Sequence, residues 1–337
     1  MKKKIFSCLI GSFLFFLCFC KLIFAQENSA AIFVYHRFGE QTFPSTNIKL
    51  KQFKSHINEI KKNNYNVLPI NEIIDHIINK EPLPEKTIGL TIDDGFKSIY
   101  NKAWPLIKAA GLPVTIFVTT GTIGSGSKNH MNWKEIKELS DSGVTIGHHT
   151  VNHYHLVNKS LDTLENEIEN ANNAFKKNLG YIPNIFSYPY GEYSLQIKEF
   201  IKEKNFKAAL GQQSGIIFNE IDLFELPRFS MNEKYGDIDR FKFAANAKAL
   251  SVKEITPRNL IIENVNPPLI GFTLINDIQS RISCYPSHNL KASITKLSKK
   301  RIEIRFNNKF PKGRTRINCT TNDNNKWRWF GLQFFRP

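Results

Sequence analysis

Between residue 31 and about residue 230, short apolar runs alternate with amphipathic stretches, and this alternation constrains the fold more than any other feature of the 337-residue chain. The run "AIFVY" reads as a strand, and "LKQFKSHINEIKKN" reads as a helix with Leu50, Phe53, Ile57 and Ile60 at helical spacing. "YNVLPI", "TIGLTI", "VTIFVTT", "VTIG", "NIFSYP" and "FKAALG" follow as strands. Helical patterns separate them, the longest being "SLDTLENEIENANNAFKKNLG". About seven strands, each followed by a helix, call for a parallel sheet covered by helices. With this many units, closure into a barrel is expected over an open doubly wound sheet. No G-x-G-x-x-G follows the first strand and no Walker sequence occurs, which argues against a nucleotide cofactor.

Both ends of the chain depart from this pattern. "MKKK", the apolar run "IFSCLIGSFLFFLCFCKLIF" and then "AQENSA" read as an export signal over residues 1–25, either cleaved after Ala25 or kept as a membrane anchor. An exported chain fits the periplasm, the cell envelope or the exterior. Residues 26–250 hold the strand–helix repeats, and 251–337 change to short β-type runs such as "RIEIRF" and "RTRINCTT", expected as a small all-β appendage. Cys284 and Cys319 are the two cysteines outside the signal. In an exported chain they read as one disulfide tying together a loop-rich segment, two separate buried thiols being the other reading. Residues 251–337 carry 16 Lys and Arg against 5 Asp and Glu, and the rest of the chain past the signal is close to neutral. That segment suits an anionic cell-surface polymer or membrane as neighbour, or is simply a solvated basic face. Export makes a nucleic-acid partner unsuitable. Trp327 and Trp329, two apart on an expected strand, share a face that either stacks on sugar rings or packs in a β core.

Parallel α/β sheets and barrels place their sites beyond the carboxyl ends of the strands. His36 follows "AIFVY", Asp93-Asp94-Gly95 follows "TIGLTI", His148, His149 and His153 follow "VTIG", and Tyr190 and Gly191 follow "NIFSYP". Taken singly, Asp-Asp-Gly reads as a turn and the histidines as a polar loop. On one rim they form a set. Asp94 beside His149 and His153 makes a two-histidine, one-aspartate cation site with positions left for water. Asp93, next along the chain, is placed to act as a general base.

"TIDDGF" and "HTVNH" resemble the two metal-site motifs of the polysaccharide deacetylases, the NodB-homology group of carbohydrate esterase family 4, and the likeness covers roughly residues 31 to 230. The resemblance implies a distorted (β/α)7 barrel in an α/β chain, here with the small C-terminal all-β domain. It implies Asp93 as catalytic base and Asp94, His149 and His153 as ligands of one divalent metal, zinc in most members, with cobalt or nickel able to serve. "YPYG" resembles the third motif, in which the backbone N–H of Tyr190 holds the oxyanion. Two departures stand out: Ser187 occupies the position of an arginine that orients the base, and no late leucine-x-histidine segment follows Phe229. Both are shared with the exopolysaccharide subgroup that deacetylates poly-N-acetylglucosamine. There a tyrosine-histidine pair on the first strand supplies the acid, and "FVYHRF" makes His36 the candidate. Arg228 in "LPRF" is a candidate for the missing arginine and for substrate binding.

The implied activity is metal-dependent removal of N-acetyl groups from an N-acetylhexosamine-containing polysaccharide, with release of acetate. Other acetylated glycans remain open: peptidoglycan, chitin oligomers or an O-acetylated polymer. So do two readings of a different class: a non-catalytic glycan-binding protein that keeps the barrel, and a surface or assembly protein working mainly through the basic appendage. His148 is expected to face away from the metal, and His155 to have a supporting or surface role.

Overall fold

The computed structural model describes residues 28–337, so the expected export signal over 1–25, with Cys8, Cys18 and Cys20, lies outside the described residues. Six strands form a parallel wall: β1 (Ser29–Tyr35), β2 (Thr87–Ile92), β3 (Thr115–Val118), β4 (Thr145–His148), β5 (Ile185–Ser187) and β6 (Ala208–Leu210). They pair in chain order. The wall then curls closed: Leu226 bridges Leu210, and the two-residue strand β7 (Phe229–Ser230) pairs in parallel with β1. The fold is a mixed α/β barrel of the distorted type, with all-β sheets after it. Its seven-membered ring differs in one member from the sequence expectation. "YNVLPI" contributes only the two-residue strand Asn66–Val67, which pairs with the start of β2, and β7 is the seventh member.

Side-chain alternation sorts the wall into two layers. On β1, Phe33 and Tyr35 face outward to helices α1 (Leu50–Lys62) and α7 (Ile238–Asn246): Phe33 stacks on Phe241 with ring centroids 4.5 Å apart, and Tyr35 meets Phe53 edge-on at 5.3 Å. Ala30 and Ile32 belong to a separate inner cluster with Phe117, Ile185, Leu210 and Leu226. Helix α2 (Ile70–Asn79) adds Ile70, Ile73, Ile74 and Ile77 to that cluster and plugs the barrel from below. Every residue of β1 is buried because both of its faces are covered. The rest of the outer layer is α3 (Trp104–Ala110), α4 (Trp133–Asp141), α5 (Leu161–Leu179) and α6 (Leu195–Glu203). Asn132, Ser160 and Ser194 cap the last three, each accepting a backbone N–H from the first turn.

The C-terminal strands form two four-stranded sheets. One joins β8 (Lys248–Ala249), β15 (Lys326–Arg336), β14 (Gly313–Asp323) and β11 (Ser283–Pro286). The other joins β9 (Val252–Thr256), β10 (Ile270–Leu274), β13 (Arg301–Phe306) and β12 (Ala292–Lys296). Asn324 and Asn325 make the tight turn of the long β14–β15 hairpin with φ of 51° and 61°, left-handed values that asparagine tolerates. The two sheets share a core in which Phe272 meets Phe330 at 5.2 Å and Phe310 meets Phe334 at 5.9 Å. The same buried cluster continues into Leu164, Ile168, Ile197 and Ile201 of α5 and α6, so the β sandwich packs directly on the barrel's helices. Cys284 and Cys319 stand opposite each other in register on β11 and β14 as a disulfide, joining neighbouring strands of one sheet rather than distant loops. Trp329 packs against Phe229 and Phe243, and Trp327 against Phe243. The tryptophan face is thus turned to the barrel.

Candidate active site

The carboxyl ends of the strands bring the candidate residues to one rim. Asp93 follows β2 directly and is fully buried. Arg228, equally buried, holds it through two parallel hydrogen bonds, Nη1 to Oδ1 at 2.7 Å and Nη2 to Oδ2 at 2.8 Å. The remaining donors of Arg228 go to Thr91 Oγ1, Ser187 Oγ and the Gly211 carbonyl. The Ser187 hydroxyl also reaches Asp93 Oδ2 at 3.3 Å. Burial alone would push the Asp93 carboxyl up; the Arg228 guanidinium beside it outweighs that and holds it below the usual carboxylate range. A paired, ionised carboxylate fixed in orientation can accept a proton at one defined place. The expectation that Arg228 binds substrate is corrected by this packing: the side chain has no exposed surface and its donors are used inside the protein.

Alternation along β4 separates two adjacent histidines. His148 turns outward among Phe175, Phe186 and Phe206, where burial lowers its pKa to about 3 and keeps it neutral. His149 turns inward. Its Nδ1 lies 2.7 Å from the Ser187 carbonyl, which only accepts, so Nδ1 carries the proton and Nε2 presents a lone pair. Nε2 of His149 and of His153 lie 3.4 and 3.3 Å from Asp94 Oδ1. The three atoms lie within 4.8 Å of one another. His149 Nε2 and Asp94 Oδ1 are buried with no hydrogen-bond partner. Two unpartnered acceptors facing each other in the interior are costly unless a cation sits between them. The donor set, two imidazoles and one carboxylate, fits a divalent ion of the zinc type. Burial pushes the Asp94 carboxyl up, but the imidazoles of His149, His36 and His153 around it outweigh that and hold it well below the usual range.

The backbone at this rim is strained where the side chains converge. Asp94, Thr150, His153 and Tyr190 all take left-handed φ, between 54° and 78°. Such residues cost about 1–3 kcal/mol each and persist only where surrounding contacts fix them. Two groups fix the 149–153 loop. Thr150 Oγ1 accepts the His153 N–H at 3.2 Å. Glu167 on α5 accepts the N–H groups of Val151 and Asn152 at 3.0 and 2.8 Å, and the Asn152 amide as well.

His36 follows β1, and the backbone N–H of Asp93 donates to the Tyr35 carbonyl at 2.9 Å, so the two strand ends are adjacent. Burial lowers the His36 pKa, while the carboxylates of Asp94 and Asp93 partly offset this. Tyr190 sits in the Pro-Tyr-Gly turn with its ring 4.4 Å from that of His153. Gly191 in this turn has φ of 68°, and a Cβ there would lie 2.4 Å from the Gln212 nitrogen, so only glycine fits. His155 stacks on the Tyr190 ring at 3.8 Å and pairs with Glu192 at 2.7 Å; it is not part of the three-residue ligand set.

Sequence reasoning missed the residues that the C-terminal sandwich supplies. Gln333 on β15 donates to the carbonyls of Tyr190 and Gly191 at 3.1 and 2.9 Å. Arg314 on β14 lies 5.6 Å from the Tyr190 ring centroid and 3.5 Å from Glu192 Oε1. Nothing in a local pattern marks either one. Glu167 was hidden in the same way, as one acid among several on a long helix.

Residues 80–209 match the polysaccharide deacetylase family. The poly-beta-1,6-N-acetyl-D-glucosamine N-deacetylase of Staphylococcus aureus is 22% identical over 234 residues, covering 62% of this chain and 80% of that protein. Among solved structures, the Streptococcus pyogenes deacetylase PplD, determined with acetate, is 25% identical with a TM-score of 0.58, covering 62% of this chain and 95% of that one. IcaB from Ammonifex degensii shares the fold at 21% identity and a TM-score of 0.60, covering 66% and 99%. With the barrel, the carboxylate pair and the histidine loop in place, residues 80–209 are a polysaccharide deacetylase domain of the NodB-homology type.

Proposed function

We propose that this chain is a metal-dependent enzyme that hydrolyses N-acetyl groups of an N-acetylhexosamine-containing polysaccharide and releases acetate. The observation that carries this reading is the convergence of Asp94 Oδ1, His149 Nε2 and His153 Nε2 beside an Asp93 carboxylate pinned by Arg228. The names of the relatives support the choice of an acetylated amino sugar polymer. A divalent cation held by Asp94, His149 and His153, zinc in the first instance, would supply Lewis-acid polarisation of the acetyl carbonyl and a more acidic water.

The protein's own groups do the rest. Asp93 takes a proton from the water that adds to the acetyl carbon, and Arg228 keeps its carboxylate aimed and ionised. The strained turn at residue 190 presents the Tyr190 N–H to the oxygen on which charge develops. His36 gives a proton to the amide nitrogen as the C–N bond breaks, so the sugar leaves as a free amine. An exported location and a basic β sandwich facing an anionic envelope polymer fit a polymer substrate, and both belong to the proposal.

The test is acetate release from an N-acetylglucosamine oligomer by residues 26–337, stripped of metal and then given zinc or cobalt. Release that returns with metal and is absent in His149→Ala is the expected outcome. A protein that binds no metal, or that releases acetate equally well without it, would overturn the reading.

A further inference from the structure

The barrel rim and the C-terminal sandwich enclose a cavity of about 560 Å³ next to the active site, within the roughly 300–1,000 Å³ of small-molecule sites. Gln212 beyond β6 and Ser230 at the end of β7 form its barrel side. Arg240, Arg314 and Arg316 line it, and none of the lining residues is acidic. Arg314 has a counter-charge in Glu192. The other two form no ion pair among the described residues, and Glu192, already paired with Arg314, acts on Arg316 only from further away. Arg316 gives Nε to Gln333 Oε1 at 2.8 Å, and Arg240 gives Nη1 to the carbonyls of Ser230 and Tyr235. Burial lowers the pKa of each to about 10, and for Arg316 the neighbouring Arg314 cation adds to it. Guanidinium groups drawn out of water without a directly paired carboxylate are costly, and an anion in the cavity would offset that cost.

Two further features point to a sugar as the carrier of the anion. Tyr285 lines the cavity while 61% exposed, a ring face available for stacking on a sugar, and Tyr235 beside it, 40% exposed, has the Arg240 guanidinium over its ring at 5.1 Å. Arg314 lines the cavity and also lies over the Tyr190 ring, which His155 stacks on and the proposed ligand His153 meets edge-on. The cavity and the proposed acetyl site are therefore one side chain apart.

We propose that this cavity is a subsite for an anionic group on the glycan, a carboxylate or phosphate substituent, bound by Arg316 and Arg240. The proposal rests on the deacetylase reading and narrows its substrate to a polymer that carries acidic groups as well as N-acetyl groups.

The test uses zinc-loaded Asp93→Asn protein, so that ligands are not consumed, and titration calorimetry at low salt. Three N-acetylglucosamine oligosaccharides of equal length serve as probes: neutral, uronate-bearing and phosphate-bearing. At least one acidic probe should bind about tenfold more tightly than the neutral one, the scale of one charge-assisted hydrogen bond, and the stronger of the two identifies the substituent. The advantage should shrink with salt and collapse towards parity in Arg316→Gln and in Arg240→Gln. Equal affinity for all three probes, or a preference that survives in both variants, overturns the subsite. Acetate release by the unmutated enzyme is followed in parallel. No release from any probe beside a retained acidic preference sinks the deacetylase reading alone, and release without preference sinks the subsite alone.

Discussion

Asp93 and Arg228 form a buried unit whose two halves have separable consequences. Asp93→Asn keeps the shape of the side chain and removes the proton acceptor. Acetate release should fall by at least about 100-fold, the lower end of what a positioned base contributes, while zinc affinity stays near the parent value. The Arg228 charge left without its partner lowers Tm, so turnover is compared on protein shown to be folded. Arg228→Met leaves a carboxylate buried without its partner and should cost about 3–5 kcal/mol of stability, read from chemical denaturation. Normal turnover in a folded Asp93→Asn protein would remove Asp93 from the mechanism. At this scale the sequence is informative wherever a residue directly follows a strand: Asp93, Asp94 and His149 are placed by the strand they end, and β alternation explains why His148 and His149 face opposite layers. It is silent on the Arg228 pairing, because the partners are 135 residues apart and only closure of the barrel brings them together.

At the scale of elements, the site is a set of loops held by groups on neighbouring secondary structure. The 149–153 loop carries two candidate ligands in left-handed or irregular backbone, and α5 restrains it through a single side chain, Glu167, that accepts three N–H groups. Glu167→Ala frees those donors and lets the loop relax out of its strained conformation. Zinc affinity should drop by about 10–100-fold, as when supports of metal ligands are removed, while the helix, capped by Ser160, remains formed. Competition against a chromophoric chelator measures the affinity, and circular dichroism checks the fold. An unchanged affinity would show that Thr150 and the strand end suffice to hold His153. Helical elements are legible in the sequence through their periodicity and caps, since α1 shows the expected apolar stripe. The closing strand β7 is not legible: two residues are too few to show a period, and its pairing with β1 is set by the barrel as a whole.

For the whole molecule, the question is whether the C-terminal sandwich is an appendage or a wall of the site. Composition and charge mark 251–337 as different, with an excess of 11 positive charges, and a change of pattern near residue 250 is plain in the sequence. Its contribution to the barrel is not, because the contacts are made by isolated side chains on regular strands. Lys248–Ala249 joins β15 as an edge, Trp329 packs on Phe229 of the closing strand, and Gln333 holds the Tyr190 turn from 143 residues away. These contacts predict two results that must agree. A chain ending at residue 247 exposes Phe229, Phe243 and the apolar faces of α5 and α6, and should be insoluble or inactive. That outcome alone does not distinguish folding from catalysis. Gln333→Ala in the full chain, assayed on a neutral N-acetylglucosamine oligomer because it also frees Arg316 Nε, does: it leaves the sandwich packed and removes two hydrogen bonds of about 1 kcal/mol each from a strained turn. The expected result is a fall in kcat of about tenfold with little change in KM, because the Tyr190 N–H acts on charge that develops only in the transition state. If kcat is intact in Gln333→Ala and the shortened chain is soluble and active, the sandwich has no part in the chemistry, and its positive charge has to be explained by binding alone.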